Sequence, residues 1–315
     1  MFRCLRMVVL AWLLVAVAGG VNSATAAGKI KPHVVVLISH DAAPYRDALN
    51  GFERVLAQRG MEADLEVVAL QGDAQKVAPA MLKAKRDGAA LVFTMGLVAT
   101  QAALAENSDI PVVAGLILSA DSLKKRANAT GVVLEMPMKL QFEWIQRLMP
   151  SDTTVGVLYN PAENQQRVEE AEGAARSMGL KLVAFQVDTA QSLPNVLETV
   201  AKRVDVLWAI PDSVVVSPET AKTLLVYSFR NRIPFIGLSS AWVKAGALFA
   251  LDWDYEDVGA QCGELAIRIF RGTRAGSIAP ESPRRVTYAV NRKTAREMRV
   301  VLSESVISGA AKVYE

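Results

Sequence analysis

The stretch GVLYNPAENQQ, residues 156–166, connects a buried strand to a helix through a proline turn. The four residues before Tyr159 are apolar or small, as in a strand that is covered on both faces. Pro161 keeps Asn160 out of the helical region, so the strand ends there, and proline suits the first turn of the polar helix that follows. In an open α/β sheet, ligands bind beyond the carboxyl ends of the strands. We therefore expect Tyr159 and Asn160 to line a ligand-binding cleft.

The same alternation of strand and helix extends through most of the chain. Short apolar runs typical of buried strands alternate with helical patterns from residue 33 onward. This alternation predicts βαβ units and a largely parallel sheet. The order βαβαβαβ occurs twice, so we predict two doubly wound, Rossmann-like α/β lobes joined by a hinge. The predicted strands are 33–39, 64–70, 90–94 and 111–114 in the first lobe, and 154–159, 181–187, 204–210 and 234–237 in the second.

The C-terminal part of the sequence predicts further crossings between the lobes. It contains a strand at 247–254, a long helix at 255–272 and a late strand at 284–291. Several crossings form a hinge, which allows two lobes to close around a ligand. The expected domains are an N-terminal lobe of 28–131 plus about 255–283, and a C-terminal lobe of 132–254 plus about 284–315.

The first 26 residues have the three parts of a secretory signal peptide. Arg3 and Arg6 precede an apolar run at 7–18, and Ala-Thr-Ala at 24–26 offers a cleavage site. The apolar run is shorter than the ~20 residues that a membrane-spanning helix needs, and an uncleaved anchor is the alternative interpretation. We expect an exported, periplasmic protein.

Charge, cysteine and histidine content exclude several classes of function. Removal of Arg3 and Arg6 lowers the formal net charge from +3 to +1, which leaves no basic excess for nucleic acid. The one remaining cysteine, Cys262, lies in an apolar helical pattern typical of a buried thiol. The two histidines are His33 and His40, and a single histidine near a cleft makes no metal site. We expect neither a metal nor a cofactor.

Five segments resemble, in order and spacing, the substrate-binding proteins of a bacterial ABC-transporter family that includes tryptophan- and tyrosine-type binders. They are GVLYNPAENQQ (156–166), AIPDS (209–213), IPFIGLSSAWVKAGAL (233–248), DWDYEDVGAQCGELAIRIFRG (252–272) and VTYAVNRKTAREM (286–298). The first lobe adds Gln71-Gly72-Asp73 and TMGLVATQAA (94–103). The resemblance implies the type I periplasmic binding protein fold, in agreement with the two predicted lobes.

Two first-lobe segments depart from the pattern of that family. Leu97 follows Gly96 where family members usually carry a hydroxyl residue, and AGLILSADS (114–122) stands in place of a Ser-Asp-Pro type turn. Both loops are expected to face the cleft, so the departures bear on which ligand is bound.

Loops at the carboxyl ends of the predicted strands supply the candidate ligand contacts. Asp212 suits a ligand ammonium, since a charge-assisted hydrogen bond is about twice as strong as a neutral one; a turn or capping aspartate is the alternative. Gly96 would let the N–H groups of a helix start approach a carboxylate. Of Asp252 and Asp254, we expect one to face the cleft and the other to cap the long helix. The complete candidate set is Ser39, His40, Tyr45, Gln71, Thr94, Gly96, Tyr159, Asn160, Asp212, Ser239, Ser240, Asp252 and Trp253.

Together these features predict a periplasmic solute-binding protein. It would capture a small molecule, such as an amino acid or an aromatic metabolite, and deliver it to an ABC permease in the inner membrane. The alternative is a sensory protein that presents its ligand to a membrane receptor or kinase. An exported enzyme has less support, because the sequence has no G-x-S-x-G, G-x-G-x-x-G, P-loop or H-E-x-x-H motif. We expect a monomer without catalytic residues.

Overall fold

Two β-sheets with helices on their faces make up residues 31–106 and 108–315, the part of the protein that the computed structural model describes. The predicted signal peptide, 1–26, lies outside these residues. No helix within them is long and apolar enough to cross a membrane. The two sheets confirm the predicted α/β class with two largely parallel lobes.

The first sheet consists of five parallel strands from the N-terminal half. The strands are β1 (His33–Ile38), β2 (Asp64–Ala69), β3 (Leu91–Met95), β4 (Val112–Ile117) and β5 (Ala129–Val133), and the helices are α1 (Ala43–Gln58), α2 (Val77–Arg86) and α3 (Leu97–Ala105). The strand order is β2-β1-β3-β4-β5, as in other doubly wound sheets. Strand β5 was not predicted, because Ala129 and Gly131 have a weak preference for strands.

The second sheet has seven strands. The strands are β6 (Thr154–Tyr159), β7 (Lys181–Gln186), β8 (Val206–Trp208), β9 (Phe235–Ile236), β10 (Phe249–Trp253), β11 (Val286–Asn291) and β12 (Lys312–Tyr314). Their order in the sheet is β12-β11-β10-β9-β8-β6-β7. The helices are α4 (Met138–Leu148), α5 (Pro161–Ser177), α6 (Leu193–Val200), α7 (Pro218–Asn231), α8 (Ser240–Ala245), α9 (Tyr255–Phe270), α10 (Arg292–Met298) and α11 (Glu304–Ser308). Neighbouring strands are parallel except β10 and β11.

Helix α9 follows a strand of the second sheet but packs against α1, β4 and β5 of the first. A Cβ atom on Gly259 would overlap the carbonyl oxygen of Ala48, so the two helix backbones touch directly. Cys262 on the same helix is fully buried, as predicted, and burial raises the pKa of its thiol. The chain therefore passes between the sheets after β5, after β10 and after α9.

Apolar side chains cover both faces of each sheet. In the first sheet, Phe52 of α1 stacks on Phe93 of β3, with ring centroids 4.4 Å apart. In the second sheet, Phe142 of α4 lies against Trp208 of β8, with ring centroids 5.1 Å apart. Because the helices bury these faces, the edges at the strand ends remain the places where loops can meet a ligand.

Candidate ligand-binding cleft

Three of the first-lobe candidates form one contact group. Ser39 is buried, and its hydroxyl accepts a hydrogen bond of 3.0 Å from the backbone N–H of Ala99 in the first turn of α3. Gly96 has a φ of 88°, and a Cβ there would lie 2.7 Å from Ser39 Oγ and 2.9 Å from Tyr45 Oη. Both the left-handed backbone and the lack of space therefore require glycine before α3.

The other three first-lobe candidates have different surroundings. His40 is exposed and meets the Tyr45 ring edge-on, with centroids 6.2 Å apart. Gln71 is exposed and has a φ of 56°. Thr94 is fully buried, and its hydroxyl lies 2.9 Å from that of Thr100, inside the lobe. His40 thus joins the contact group, whereas the Thr94 hydroxyl is committed to a neighbour.

Asp212 is buried, and protein donors occupy both oxygens of its carboxylate. Oδ2 accepts hydrogen bonds from the backbone N–H of Asn160 at 2.7 Å and from Asn164 Nδ2 at 2.9 Å. Oδ1 accepts from the backbone N–H groups of Val214 at 3.0 Å and Val215 at 2.8 Å. This geometry ties the start of α5 to the loop after β8 and favours the turn-capping alternative. A ligand contact by Asp212 stays a prediction.

The stretch 156–166 forms the predicted strand, turn and helix, since β6 ends at Tyr159 and α5 begins at Pro161. Asn160 caps α5 by accepting a 3.1 Å hydrogen bond from Ala162, and its amide donates to the carbonyl of Val187 at 2.9 Å. The Tyr159 ring is buried in the core of the second lobe, and its hydroxyl donates to a glutamine side chain of α5 at 3.0 Å. Both side chains therefore serve the second lobe itself.

The remaining second-lobe candidates lie together at the carboxyl end of β10. Asp252 accepts hydrogen bonds from the backbone N–H groups of Ser240 at 2.7 Å and Trp253 at 2.9 Å. Asp254 caps α9, as predicted for one of these two aspartates, and accepts from the backbone N–H of Asp257 at 3.0 Å.

A groove of about 580 Å³ lies in front of these residues. Ser239, Ser240, Asp252 and Trp253 line it from the second lobe, and the start of α1 lines it from the first. Burial raises the pKa of the Tyr255 phenol in this groove, and the charge of Asp252 raises it further. The structure thus brings four of the predicted residues onto one surface between the sheets.

Trp253 also lines a second, smaller cavity of about 130 Å³ between the two sheets. Leu118 and Leu134 approach it from the first sheet and from the crossing after β5. Phe249 and Leu251 approach it from the second sheet. Most of its wall is therefore apolar, which suits a ligand with an apolar body.

Two charged residues of this cavity, Glu135 and Arg167, were absent from the predicted set. Arg167 is half-buried, whereas Glu135 is exposed. Neither side chain forms an ion pair or a hydrogen bond with another residue of the described part of the chain. Asp212 and Asp252, by contrast, each accept hydrogen bonds from protein donors on both carboxylate oxygens. The uncommitted charges that line this smaller cavity are thus a cation from α5 and an anion from the crossing after β5.

A sequence signal for Arg167 existed, whereas none marked Glu135. Asn160, Asn164 and Arg167 follow the i, i+4, i+7 spacing of one helix face. Arg167 is also the one basic residue at 161–175, among four glutamates. Glu135 follows β5, the strand that the sequence pattern did not reveal.

A family model described as ABC transporter substrate binding protein matches residues 31–314. The chain belongs to this family. A curated relative of this substrate-binding protein, the tyrosine-binding protein of Clostridioides difficile (strain R20291), is 25% identical over 271 residues, which are 80% of this chain and 76% of the relative. The family and this relative are binding proteins, and their match confirms the resemblance found in the sequence.

Two solved structures show the same fold at low sequence identity. The ligand-free, open form of a substrate binding protein with adhesive properties from Clostridium difficile has a TM-score of 0.78 and 21% identity, covering 90% of this chain and 99% of the other. The ABC domain in complex with L-Trp from Streptococcus pneumonia has a TM-score of 0.70 and 23% identity, with the same coverage. The protein therefore has the two-lobed type I periplasmic binding protein fold.

Proposed function

We propose that this substrate-binding protein captures a small amphipathic molecule between its lobes and passes it to an ABC importer. The cavity between the sheets carries the proposal, because it combines apolar walls with one uncommitted cation and one uncommitted anion. Binding pockets for small molecules have this composition, mostly apolar with a few placed polar groups.

The size and lining of the cavity favour an aromatic or branched amino acid. A dry cavity of about 150 Å³ takes up benzene, so the space of about 130 Å³ suits one ring. The remainder of a larger ligand, such as an indole derivative, would extend into the groove of about 580 Å³ that Trp253 also lines. Trp253 and Phe249 offer aromatic surface. Arg167 and Glu135 carry the charges that would match a carboxylate and an ammonium. The names of two relatives, which refer to tyrosine and L-Trp, support the same ligand class.

The first-lobe contact group of Ser39, His40, Tyr45 and Gly96 would meet the ligand when the lobes close. These residues lie at the carboxyl ends of β1 and β3, the edge at which ligands of doubly wound sheets bind. The serines and Asp252 beside Trp253 would approach from the second lobe. Closure by hinge motion is one of the standard rearrangements of two-lobed proteins.

Family membership and the N-terminal sequence support a proposal for the cellular setting. Substrate-binding proteins of ABC importers act outside the cytoplasm, and the first 26 residues have the pattern of a cleavable signal peptide. We propose a monomeric periplasmic protein whose partner is an ABC permease of the inner membrane.

A thermal-melt screen tests this proposal. The purified protein is heated with amino acids, aromatic metabolites, nucleosides, sugars and small peptides. A ligand present at 100 times its dissociation constant adds about 2.7 kcal/mol to the free energy of unfolding, which raises the melting temperature by several degrees. We expect an aromatic or branched amino acid to give this shift, while sugars serve as the unmatched class. A flat response to all five classes would contradict capture of a small molecule.

A further inference from the structure

Apolar side chains of the first lobe lie at the carboxyl edge of its sheet, the edge at which a ligand is expected. They offer no hydrogen-bond donors to a polar ligand group. Leu97 begins α3 and is 51% exposed, and Leu118 follows β4 and is 54% exposed. Both lie at the carboxyl edge of the first sheet, and Leu118 and Leu134 line the cavity. Large apolar side chains exposed together at a binding edge favour an apolar partner. This side of the cavity is thus suited to the body of a ligand rather than to its charged end.

The second lobe supplies the cation of the cavity from α5. Arg167 is half-buried at the cavity wall, and no carboxylate of the described residues lies within ion-pair distance of it. Three glutamates of the helix have separate contacts: Glu163 accepts hydrogen bonds from Ser213, and Glu169 and Glu170 accept from glutamines one turn earlier. The guanidinium therefore keeps its donors available to a ligand.

The acidic groups around the cavity do not neutralise this cation. Four protein donors occupy the carboxylate of Asp212, and each oxygen of Asp252 accepts one backbone hydrogen bond. Glu135 lines the same cavity but forms no ion pair with Arg167. A planar guanidinium binds a carboxylate through two parallel hydrogen bonds, which give both strength and orientation. An anionic ligand group would match this guanidinium.

We propose that Arg167 determines specificity by binding the carboxylate of the ligand, with the apolar body directed toward Leu118 of the first lobe and Leu134 of the crossing after β5. The ligand class is a carboxylate attached to an aromatic or branched apolar body. This inference rests on the proposed function and adds the residue, the ligand group and the orientation. In this arrangement the second lobe binds the carboxylate of the ligand, and the first lobe closes over its apolar end.

Calorimetric titration with three probes of one shape tests the assignment. L-tryptophan and indole-3-propionate carry a carboxylate, whereas tryptamine has an ammonium in its place. We expect the wild-type protein to bind both carboxylates at least about tenfold more tightly than tryptamine, since a hydrogen bond to a charged group contributes roughly 1.5–3 kcal/mol. Tryptamine that binds as tightly as L-tryptophan would overturn the assignment, as would the absence of binding by both carboxylates.

Variants of α5 separate Arg167 from general effects on the helix. Arg167→Gln should weaken binding of indole-3-propionate at least about tenfold, and Arg167→Lys should restore part of the loss, because lysine keeps the charge without the planar fork. Arg176→Gln is the matched control, because Arg176 is exposed on the same helix and does not line the cavity. Melting curves of all three variants check that they fold. Equal affinity of Arg167→Gln and the wild type for indole-3-propionate would refute the role of Arg167.

The two proposals fail in different ways. A melting shift with a ligand that has no carboxylate would retain the capture function and overturn the role of Arg167. If no compound in the broad screen shifts the melting temperature, the proposed function is wrong, and this inference is wrong with it.

Discussion

The carboxylate of Asp212 joins two loops of the second lobe through four hydrogen bonds. Asp212→Ala would leave the backbone N–H groups of Asn160, Val214 and Val215 without this acceptor in a buried place. A buried donor that loses its partner costs roughly 1–3 kcal/mol. We therefore expect the variant to lower the free energy of unfolding by about 2–4 kcal/mol, measured by urea denaturation.

Asp188→Ala is the control for the Asp212 experiment. Asp188 is exposed on the neighbouring loop after β7, and surface substitutions of this kind change the free energy of unfolding by about 0.5 kcal/mol or less. If Asp212→Ala unfolds at the same urea concentration as Asp188→Ala, the four hydrogen bonds do not stabilise the fold. The carboxylate would then be available for a ligand, as the sequence suggested.

At the scale of single residues, the sequence located the loops correctly but not the direction of their side chains. Asp212 and Asn160 were selected because they follow buried strands, and both do lie at strand ends. Their hydrogen-bond partners are up to 52 residues away in the chain, and the local pattern contains no information on such contacts. Arg167 shares a helix face with Asn160 and Asn164, but it was missed because a lone arginine on a polar helix is usually solvated. The cavity beside it forms only when both sheets are in place.

At the scale of elements, the close packing of α1 on α9 leads to a specific prediction for Gly259. A Cβ on Gly259 would overlap the carbonyl group of Ala48, which is part of the α1 backbone and cannot rotate away. The helices would have to separate, so we expect Gly259→Ala to lower the free energy of unfolding by at least about 3 kcal/mol. Urea denaturation followed by circular dichroism measures the change.

Gly173→Ala is the matched substitution in another helix. Gly173 lies within α5, and a Cβ there would meet nothing within 4 Å. Alanine is a better helix former than glycine by about 1 kcal/mol, so this variant should be more stable than the wild type by up to that amount. If Gly259→Ala and Gly173→Ala change the free energy of unfolding equally, helix propensity rather than the contact with α1 determines the role of Gly259.

Most elements were predictable because their periodicity is strong and their length is typical. The helix predicted at 255–272 is α9, Tyr255–Phe270, and the strand predicted at 154–159 is β6. Strands β5 and β12 were missed because each pairs at a sheet edge, where long-range contact rather than local preference determines the strand. The missed β5 also concealed Glu135, since that residue belongs to the crossing that β5 begins.

At the scale of the whole molecule, the third crossing shows where the lobes can turn. Arg284 binds the buried carboxylate of Asp257 on α9, with Nε 2.9 Å from Oδ2, and its Nη1 lies 3.1 Å from Glu264. The chain is therefore fixed to the first lobe up to Arg284 and joins the second sheet from Val286 onward. The link between these two points is Arg285, whose carbonyl accepts a hydrogen bond of 3.4 Å from the backbone N–H of Asp254. Rotation at this crossing is therefore confined to a short segment that is tied to the neighbouring crossing, and hinges are usually such short segments.

Closure about these crossings should make the protein more compact when a ligand binds. If the about 285 residues from Lys31 to Glu315 formed one compact body, its radius of gyration would be about 19 Å. Two lobes held apart exceed this value, so we expect small-angle scattering to show a larger radius without ligand and a decrease toward 19 Å at saturation. A compound without effect in the melting screen serves as the control. If calorimetry reports binding while the scattering profiles coincide, the ligand enters without lobe closure. The first-lobe group around Gly96 would then stay apart from the ligand, and the importer would have to distinguish the loaded protein by some feature other than its shape.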